Sequence, residues 1–103
     1  MYIEPFTADA AAFQVVGHMD RCGGEYRDWY VSMATDPEYV MFTYHLVDPV
    51  DGQFVYVRMT TYHEARFLIE HLRNVYRVRT GPVFGDANAL FVYAFKMTTR
   101  TRD

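Results

Sequence analysis

Hydrophobic and polar residues alternate with a period of two along residues 28–34, and this pattern predicts a β-strand. Trp29, Val31 and Met33 fall on one face, and Tyr30, Ser32 and Ala34 fall on the other. Residues 54–60 and 89–98 are predicted to form the second and third strands. The segments 45–53 and 77–88 are predicted loops, because both carry proline and glycine.

A first helix is predicted after Thr7, a suitable N-cap residue, and glycine at positions 23 and 24 ends it. Phe13, Val16 and Gly17 fall on one side of this helix at helical spacing. A strand through residues 13–16 is the competing interpretation, because Val15 and Val16 are β-branched.

Two further helices are predicted from their capping residues. Thr35 or Asp36 is the N-cap of a short helix over residues 37–44, with proline at its first turn. Thr60 or Thr61 begins a longer helix within residues 60–76. Its buried stripe is predicted to consist of Ala65, Leu68, Ile69 and Leu72.

This order of elements predicts an α+β fold, of mixed α/β type, in a single domain over residues 1–103. The expected sheet is small, three-stranded and mainly antiparallel, with helices flanking it. Half of the residues are hydrophobic, so a chain of 103 residues can bury a core.

Charge and composition narrow the function classes. The net charge of −3 argues against a dedicated nucleic-acid binder, whose affinity comes from neutralising phosphates, although nucleic acid stays a possible partner. The single cysteine, Cys22, excludes an internal disulfide and a cysteine-based zinc site. No apolar run approaches the ~20 residues that span a bilayer, so we expect a soluble, cytoplasmic protein with no membrane partner.

The segment GGEYRDWYVSMATDPE, residues 23–38, is followed by FTYH and resembles the core of the GIY-YIG nuclease superfamily, in particular its small stand-alone members. The strand at 54–56, Glu70, the Gly85-Asp86 pair and the strand at 91–96 follow in the order typical of those members. The resemblance covers residues 23–99 and implies a GIY-YIG-like fold.

The resemblance also implies site residues. Tyr30 matches a catalytic tyrosine, His45 a catalytic histidine, and Glu70 the glutamate that holds Mg²⁺ in active members. In such enzymes the metal offsets phosphate charge while an arginine stabilises the anionic transition state.

Two positions depart from the pattern of active members. Ser32 replaces the glycine of the motif, and Val40 stands where the arginine is expected. Loss of such a cation costs about 3 kcal/mol, or about a hundredfold in rate, by analogy with removed oxyanion donors. Arg27 and Arg58 are the nearest arginines that could replace it.

We therefore expect a catalytically degenerate GIY-YIG-like domain that needs no cofactor and binds a macromolecule, with a protein favoured as the partner. An inhibitor or adaptor fits this expectation, including one encoded by a phage and directed at a host nuclease or defence system. The predicted binding surface consists of Tyr39, Tyr44, Tyr62, Arg77 and Arg79, because tyrosine and arginine are enriched in protein interfaces.

Three alternatives stay open. In the first, the chain is an Mg²⁺-dependent endonuclease with a relocated arginine. In the second, it forms a homodimer with no other partner. The site residues also have structural interpretations: Tyr30 as packing, His45 as a helix cap, and Glu70 as an ion-pair partner of Arg66 and Arg73.

Overall fold

A computed structural model describes residues 2–81 and 90–103. The Gly85-Asp86 pair and most of the predicted glycine-bearing loop lie outside the described residues. The strands are β1 (Tyr2–Phe6), β2 (Trp29–Ala34), β3 (Phe54–Met59), β4 (Arg79–Thr80) and β5 (Phe91–Lys96). The α-helices are α1 (Ala8–Cys22), α2 (Pro37–Tyr39) and α3 (Tyr62–His71). Wider π-type turns extend α2 over Val40–Tyr44 and α3 over Leu72–Tyr76, and a 3-10 turn, Tyr26–Asp28, precedes β2.

The strands form one five-stranded mixed sheet in the order β1-β3-β5-β2-β4. The α+β class is therefore confirmed, but the expectation of a three-stranded sheet is wrong. The three predicted strands are the antiparallel centre, where β5 pairs with β3 and β2. The two strands that were missed lie at the edges and pair in parallel, β1 with β3 and β4 with β2. Both are weak strands by themselves, because β1 contains a proline and β4 has only two residues, so their stability depends on the strands with which they pair.

The structure decides the open choices at the helix starts. Residues 13–16 are helical within α1. The side chain of Asp36, not Thr35, accepts the Tyr39 N–H, and the side chain of Thr61, not Thr60, accepts the Glu64 N–H. Thr7 occupies the N-cap position of α1 but its side chain makes no capping hydrogen bond. Glu64 Oε1, from α3, accepts the Ala8 N–H at 2.8 Å instead.

The buried face of α1 is not the side that carries Phe13 and Gly17. Ala8, Ala11, Val15 and Met19 are its buried residues, whereas Phe13 is 80% exposed. Ala8 and Ala11 let the first half of the helix pack closely on the sheet, and Phe13 lies on the opposite, exposed side. On α3, Ala65, Leu68 and Leu72 are buried as predicted, and Ile69 is half-buried against the same core.

Hydrophobic cores cover both faces of the sheet. The first core packs Trp29, Val31 and Met33 against α1 and α3. The second packs Tyr30 and Ala34 with Tyr93 and Phe95, beneath the segment 37–47. All six residues of β2 are therefore buried despite their alternating pattern. No helix in the described ranges is long and apolar enough to cross a bilayer.

Candidate functional site

Tyr30 and His45 lie together in the second core. Tyr30 is on β2, paired with Phe95 of β5, and its ring centroid is 4.8 Å from that of His45. His45 follows the helical segment 37–44 and also packs 4.8 Å from the Phe95 ring. His45 is fully buried and Tyr30 is 2% exposed. The fold thus brings together the two residues that the resemblance singled out, but it buries both of them.

Both ring nitrogens of His45 are hydrogen-bonded. Nδ1 lies 2.6 Å from the carbonyl oxygen of Arg102, and Nε2 lies 2.8 Å from the hydroxyl of Tyr93. A carbonyl can only accept, so Nδ1 carries the proton and Nε2 accepts from the Tyr93 hydroxyl. The Ser32 side chain in turn hydrogen-bonds Tyr93. The arrangement is a buried chain of hydrogen bonds built on a neutral imidazole.

Burial governs the protonation of this cluster. Desolvation lowers the pKa of His45, against a smaller raising effect of the Arg102 backbone hydrogen bond. Burial also raises the pKa of Tyr30 to about 12, and it raises the pKa of Tyr93 further above its ordinary value. All three groups are held neutral near pH 7, so none supplies a charge to a ligand.

The C-terminal segment covers the cluster. The Arg102 N–H donates to the His45 carbonyl oxygen at 2.7 Å, so two backbone groups of Arg102 are bound to His45. Arg102 Nε donates to the Tyr44 carbonyl oxygen at 3.1 Å, and its guanidinium lies 4.6 Å from the centre of the Tyr44 ring. Arg79 Nη1 lies 3.9 Å from Asp103 Oδ2. These contacts hold residues 102–103 over the side from which a substrate would have to approach the His45 ring.

Gly81 closes another side of Tyr30. A Cβ at Gly81 would overlap the Tyr30 hydroxyl, so only glycine lets the backbone pass this close. Within the described ranges the Tyr30 hydroxyl is buried and has no hydrogen-bond partner. The group is therefore a buried polar atom rather than an accessible acid or base.

Glu70 lies in a small cleft that borders the cluster at Ser32 and Gly81. This cleft, about 160 Å³, is lined by Ser32, Arg66, Ile69, Glu70, Arg73, Thr80 and Gly81. Arg66 Nη2 lies 3.9 Å from Glu70 Oε1, and both side chains are more than half exposed. The only carboxylate among these lining residues shares the cleft with two guanidinium groups.

That donor set does not fit Mg²⁺, which prefers several oxygen ligands and an uncompensated negative charge. In the described part of the chain, no three His, Cys, Asp or Glu residues are grouped so that they could hold a metal ion. The assignment of Glu70 as a metal ligand stays a prediction.

Neither of the two arginines proposed as substitutes lies at the cluster. Arg27 precedes β2 and its Nε pairs with Glu25 Oε2 at 2.7 Å, on the exposed surface. Arg58 is on β3 opposite Phe91, whereas Tyr30 is opposite Phe95. Four residues of strand separate these positions, or about 13 Å along the sheet.

The residues of the predicted binding surface are divided. Tyr39 and Tyr44 are 63% and 37% exposed. Tyr62 is half-buried against the first core. Arg77 ends the α3 segment in a left-handed conformation, next to Tyr26 and Arg27, and Arg79 is on β4. The structure thus keeps Tyr39 and Tyr44 on one segment. Arg79 approaches Asp103, the residue after the Arg102 that contacts Tyr44.

Sequence reasoning missed two exposed apolar residues near these tyrosines. Leu46 is 51% exposed and has a φ of 61°, which is unfavourable for leucine. Val50 is 86% exposed in the following turn, where its N–H and that of Asp51 bind the Asp48 side chain. We define the 39–50 surface as Tyr39, Tyr44, Leu46 and Val50. The proline and Asp-Gly signals marked this loop, but not the direction of its side chains.

Comparison with known proteins gives no further guide to the site. No protein-family model matches the chain, and neither curated proteins nor solved structures gave a match.

Proposed function

We propose that this chain is a non-catalytic binding domain that recognises a protein through its 39–50 surface. The observation that carries the proposal is the state of His45, which is fully buried with both ring nitrogens hydrogen-bonded. A general acid or base must come within hydrogen-bond reach of its substrate. Neither His45 nor the enclosed Tyr30 has an accessible polar atom for a phosphodiester.

The 39–50 surface supports a protein partner. Four large apolar side chains are exposed within twelve consecutive residues, and two of them are tyrosines. Tyrosine contributes strongly at protein interfaces, because it buries a large area with few rotatable bonds. The net charge of −3 favours a protein over a nucleic acid as the ligand.

The form of binding protein that we propose is an inhibitor or adaptor, and a phage-encoded inhibitor of a host nuclease is one such case. We propose that it acts in the cytoplasm without a cofactor, in keeping with its single cysteine. An Mg²⁺-dependent endonuclease is the alternative that the experiments below separate from it.

The first test is cleavage of plasmid and single-stranded DNA with Mg²⁺ or Mn²⁺, by the wild-type protein and the Glu70→Ala variant. We expect no cutting above the buffer control. Metal-dependent cutting that disappears in the variant would contradict the proposal and establish the endonuclease.

The second test places a photo-crosslinking amino acid at position 39 and, as a matched control, at position 67. Phe67 is 54% exposed on α3, outside the 39–50 surface. We expect a specific adduct with a protein only from position 39. Tyr39→Ala is then expected to weaken binding of that purified protein at least about tenfold, whereas Phe67→Ala leaves it unchanged. Equal affinities for wild-type protein and both variants would refute the role of this surface.

A further inference from the structure

Four residues of α1 form a row along its outer surface at intervals of four: Asp9, Phe13, Gly17 and Arg21. We call them the α1 row. Such residues are neighbours about 6 Å apart on a helix surface, and rows of this kind form the ridges by which helices pack. All four line one groove of about 540 Å³, whose far wall is formed by His71 and Tyr76. Phe13, 80% exposed, is the most exposed aromatic residue in the described part of the chain.

Gly17 leaves a gap in this row that the described part of the chain does not require. A Cβ at this position would meet only Arg21 Nη1, at an ordinary 3.5 Å. Glycine is unfavourable inside a helix relative to alanine, because it loses more backbone freedom on folding. Packing against the described residues therefore gives no reason for glycine here, whereas the close approach of a side chain from outside does.

The two charges at the ends of the row are also unpaired. Within the described ranges, neither Asp9 nor Arg21 has an ion-pair partner. The neighbouring Asp20 is engaged, since it accepts a hydrogen bond from the Tyr26 hydroxyl. The row thus presents an acid, a projecting aromatic ring, a gap and a base, in that order.

This order is complementary to itself. When two copies of the row lie antiparallel about a two-fold axis between Phe13 and Gly17, Phe13 of each copy faces Gly17 of the other. Asp9 of each copy then faces Arg21 of the other. Helices that pack with such rows side by side cross at about −50°, a common packing class.

We propose that the α1 row binds a second copy of this chain in a two-fold symmetric dimer. A two-fold interface requires that each feature meet its complement on an identical surface, and this row meets that requirement in both shape and charge. Phe13 enters the partner's groove between the Gly17 gap and the wall formed by His71 and Tyr76. The proposal goes beyond the binding function above, because it uses α1 and leaves the 39–50 surface free.

Charge exchange tests the register directly. The mass of the full chain is measured by analytical ultracentrifugation from about 5 to 200 µM at low salt, a range that covers micromolar dissociation constants. We expect a monomer–dimer equilibrium in the wild-type protein. Asp9→Arg and Arg21→Asp should each weaken it about tenfold, because symmetry repeats every like-charge contact. The double variant D9R/R21D should restore the wild-type dissociation constant.

Two further variants address the ring and the gap. Phe13→Glu and Gly17→Leu should both abolish the dimer, and Gly17→Leu should not lower the melting temperature of dilute protein. Val50→Glu, at an equally exposed site in the 39–50 surface, should leave the dimer unchanged. Circular dichroism confirms that each variant is folded.

Three results would overturn the proposal: a monomer at every concentration, a dimer that the α1 variants leave intact, or a folded double variant that does not recover dimerisation. None of these three results depends on the 39–50 surface, where Val50→Glu serves only as a control, so failure here is distinct from failure of the proposed function.

Discussion

At the scale of single residues, His45 shows how an enclosed environment determines chemistry. Its imidazole has a donor and an acceptor function, and Arg102 and Tyr93 supply one complement for each. A protonated ring would carry a second N–H toward Tyr93 and a charge into the second core. The neutral form is therefore tied to the folded state.

Stability is expected to fall on acidification because of this residue. The pKa of His45 is lowered by burial from 6.5, so the unfolded chain takes up the proton first as pH falls. The contribution of His45 is complete above pH 6.5 and decreases below it, towards the lowered pKa of the folded state. Urea unfolding from pH 7.5 to 5 measures this slope.

His45→Gln should flatten this dependence, and it should cost about 1–3 kcal/mol at pH 7.5 by leaving partners unsatisfied. The pKa of the half-buried His18 is also lowered, mainly by burial, so His18→Gln is the matched control and should keep part of the slope. An unchanged slope in the His45 variant would contradict the assignment.

Tyr30 offers a second test at this scale. Its hydroxyl is buried and, within residues 2–81 and 90–103, lacks a hydrogen-bond partner. Removing a buried polar group without a partner removes a desolvation cost. We expect Tyr30→Phe to leave the free energy of unfolding unchanged or to raise it by up to about 1 kcal/mol, as measured by urea titration. Tyr93→Phe, which removes a hydrogen-bonded hydroxyl, should be destabilising, and the reverse order would refute this interpretation.

At the scale of elements, α1 and α3 depend on each other through one carboxylate. Glu64 accepts the Ala8 N–H, and its own N–H is bound by Thr61 at the start of α3. The negative charge lies at the positive end of α1, so it acts both as a cap and as a dipole partner. Glu64, 56 positions after Ala8, thus provides the cap that Thr7 was expected to provide.

Glu64→Ala is accordingly expected to lower the free energy of unfolding by about 1–2 kcal/mol. Glu64→Gln keeps the accepting oxygen and should lose less. Glu70→Ala, an exposed glutamate on the same helix, should stay within about 0.5 kcal/mol of the wild-type protein. Chemical denaturation of the three variants ranks them, and equal losses at positions 64 and 70 would count against the cap.

At the scale of the whole molecule, the sheet is buried on both faces. Helices α1 and α3 cover one face, and the segment 37–47 with Tyr30, Tyr93 and Phe95 fills the other. No side chain of β2 reaches solvent. Ionisation of Tyr30 would place a charge inside this packing, so it is coupled to unfolding.

Alkaline titration should reveal this coupling. The pKa of Tyr30 is about 12 in the folded chain, against 10 when exposed, and that of Tyr93 is raised further. Between pH 10 and 12 the unfolded chain releases these protons more readily, so stability falls as pH rises. Part of the absorbance change at 295 nm should coincide with loss of helical circular dichroism. Tyr30→Phe should reduce the part of the absorbance change that coincides with unfolding. If all tyrosines ionised before the helical signal was lost, the burial of Tyr30 and Tyr93 would be contradicted.

Local sequence signals located most elements. The period of two in residues 28–34 gave β2, and the residues around Asp36 and Thr61 gave the starts of two helices. These features depend on a few adjacent residues, whose capping bonds and alternation are encoded in order along the chain. The resemblance to GIY-YIG nucleases suggested Tyr30 and His45, and the fold joins these two.

Only the tertiary structure determined the hydrogen-bond partners and the burial of those residues. The edge strands β1 and β4 form because neighbouring strands supply their hydrogen bonds. The cap on α1 comes from Glu64, and the cover over His45 comes from Arg102. Phe13 faces outward because smaller residues fit against the sheet. Hydrogen-bond satisfaction and burial are properties of groups distant in sequence, so periodicity and capping in the sequence could place the elements but not the accessibility of the site.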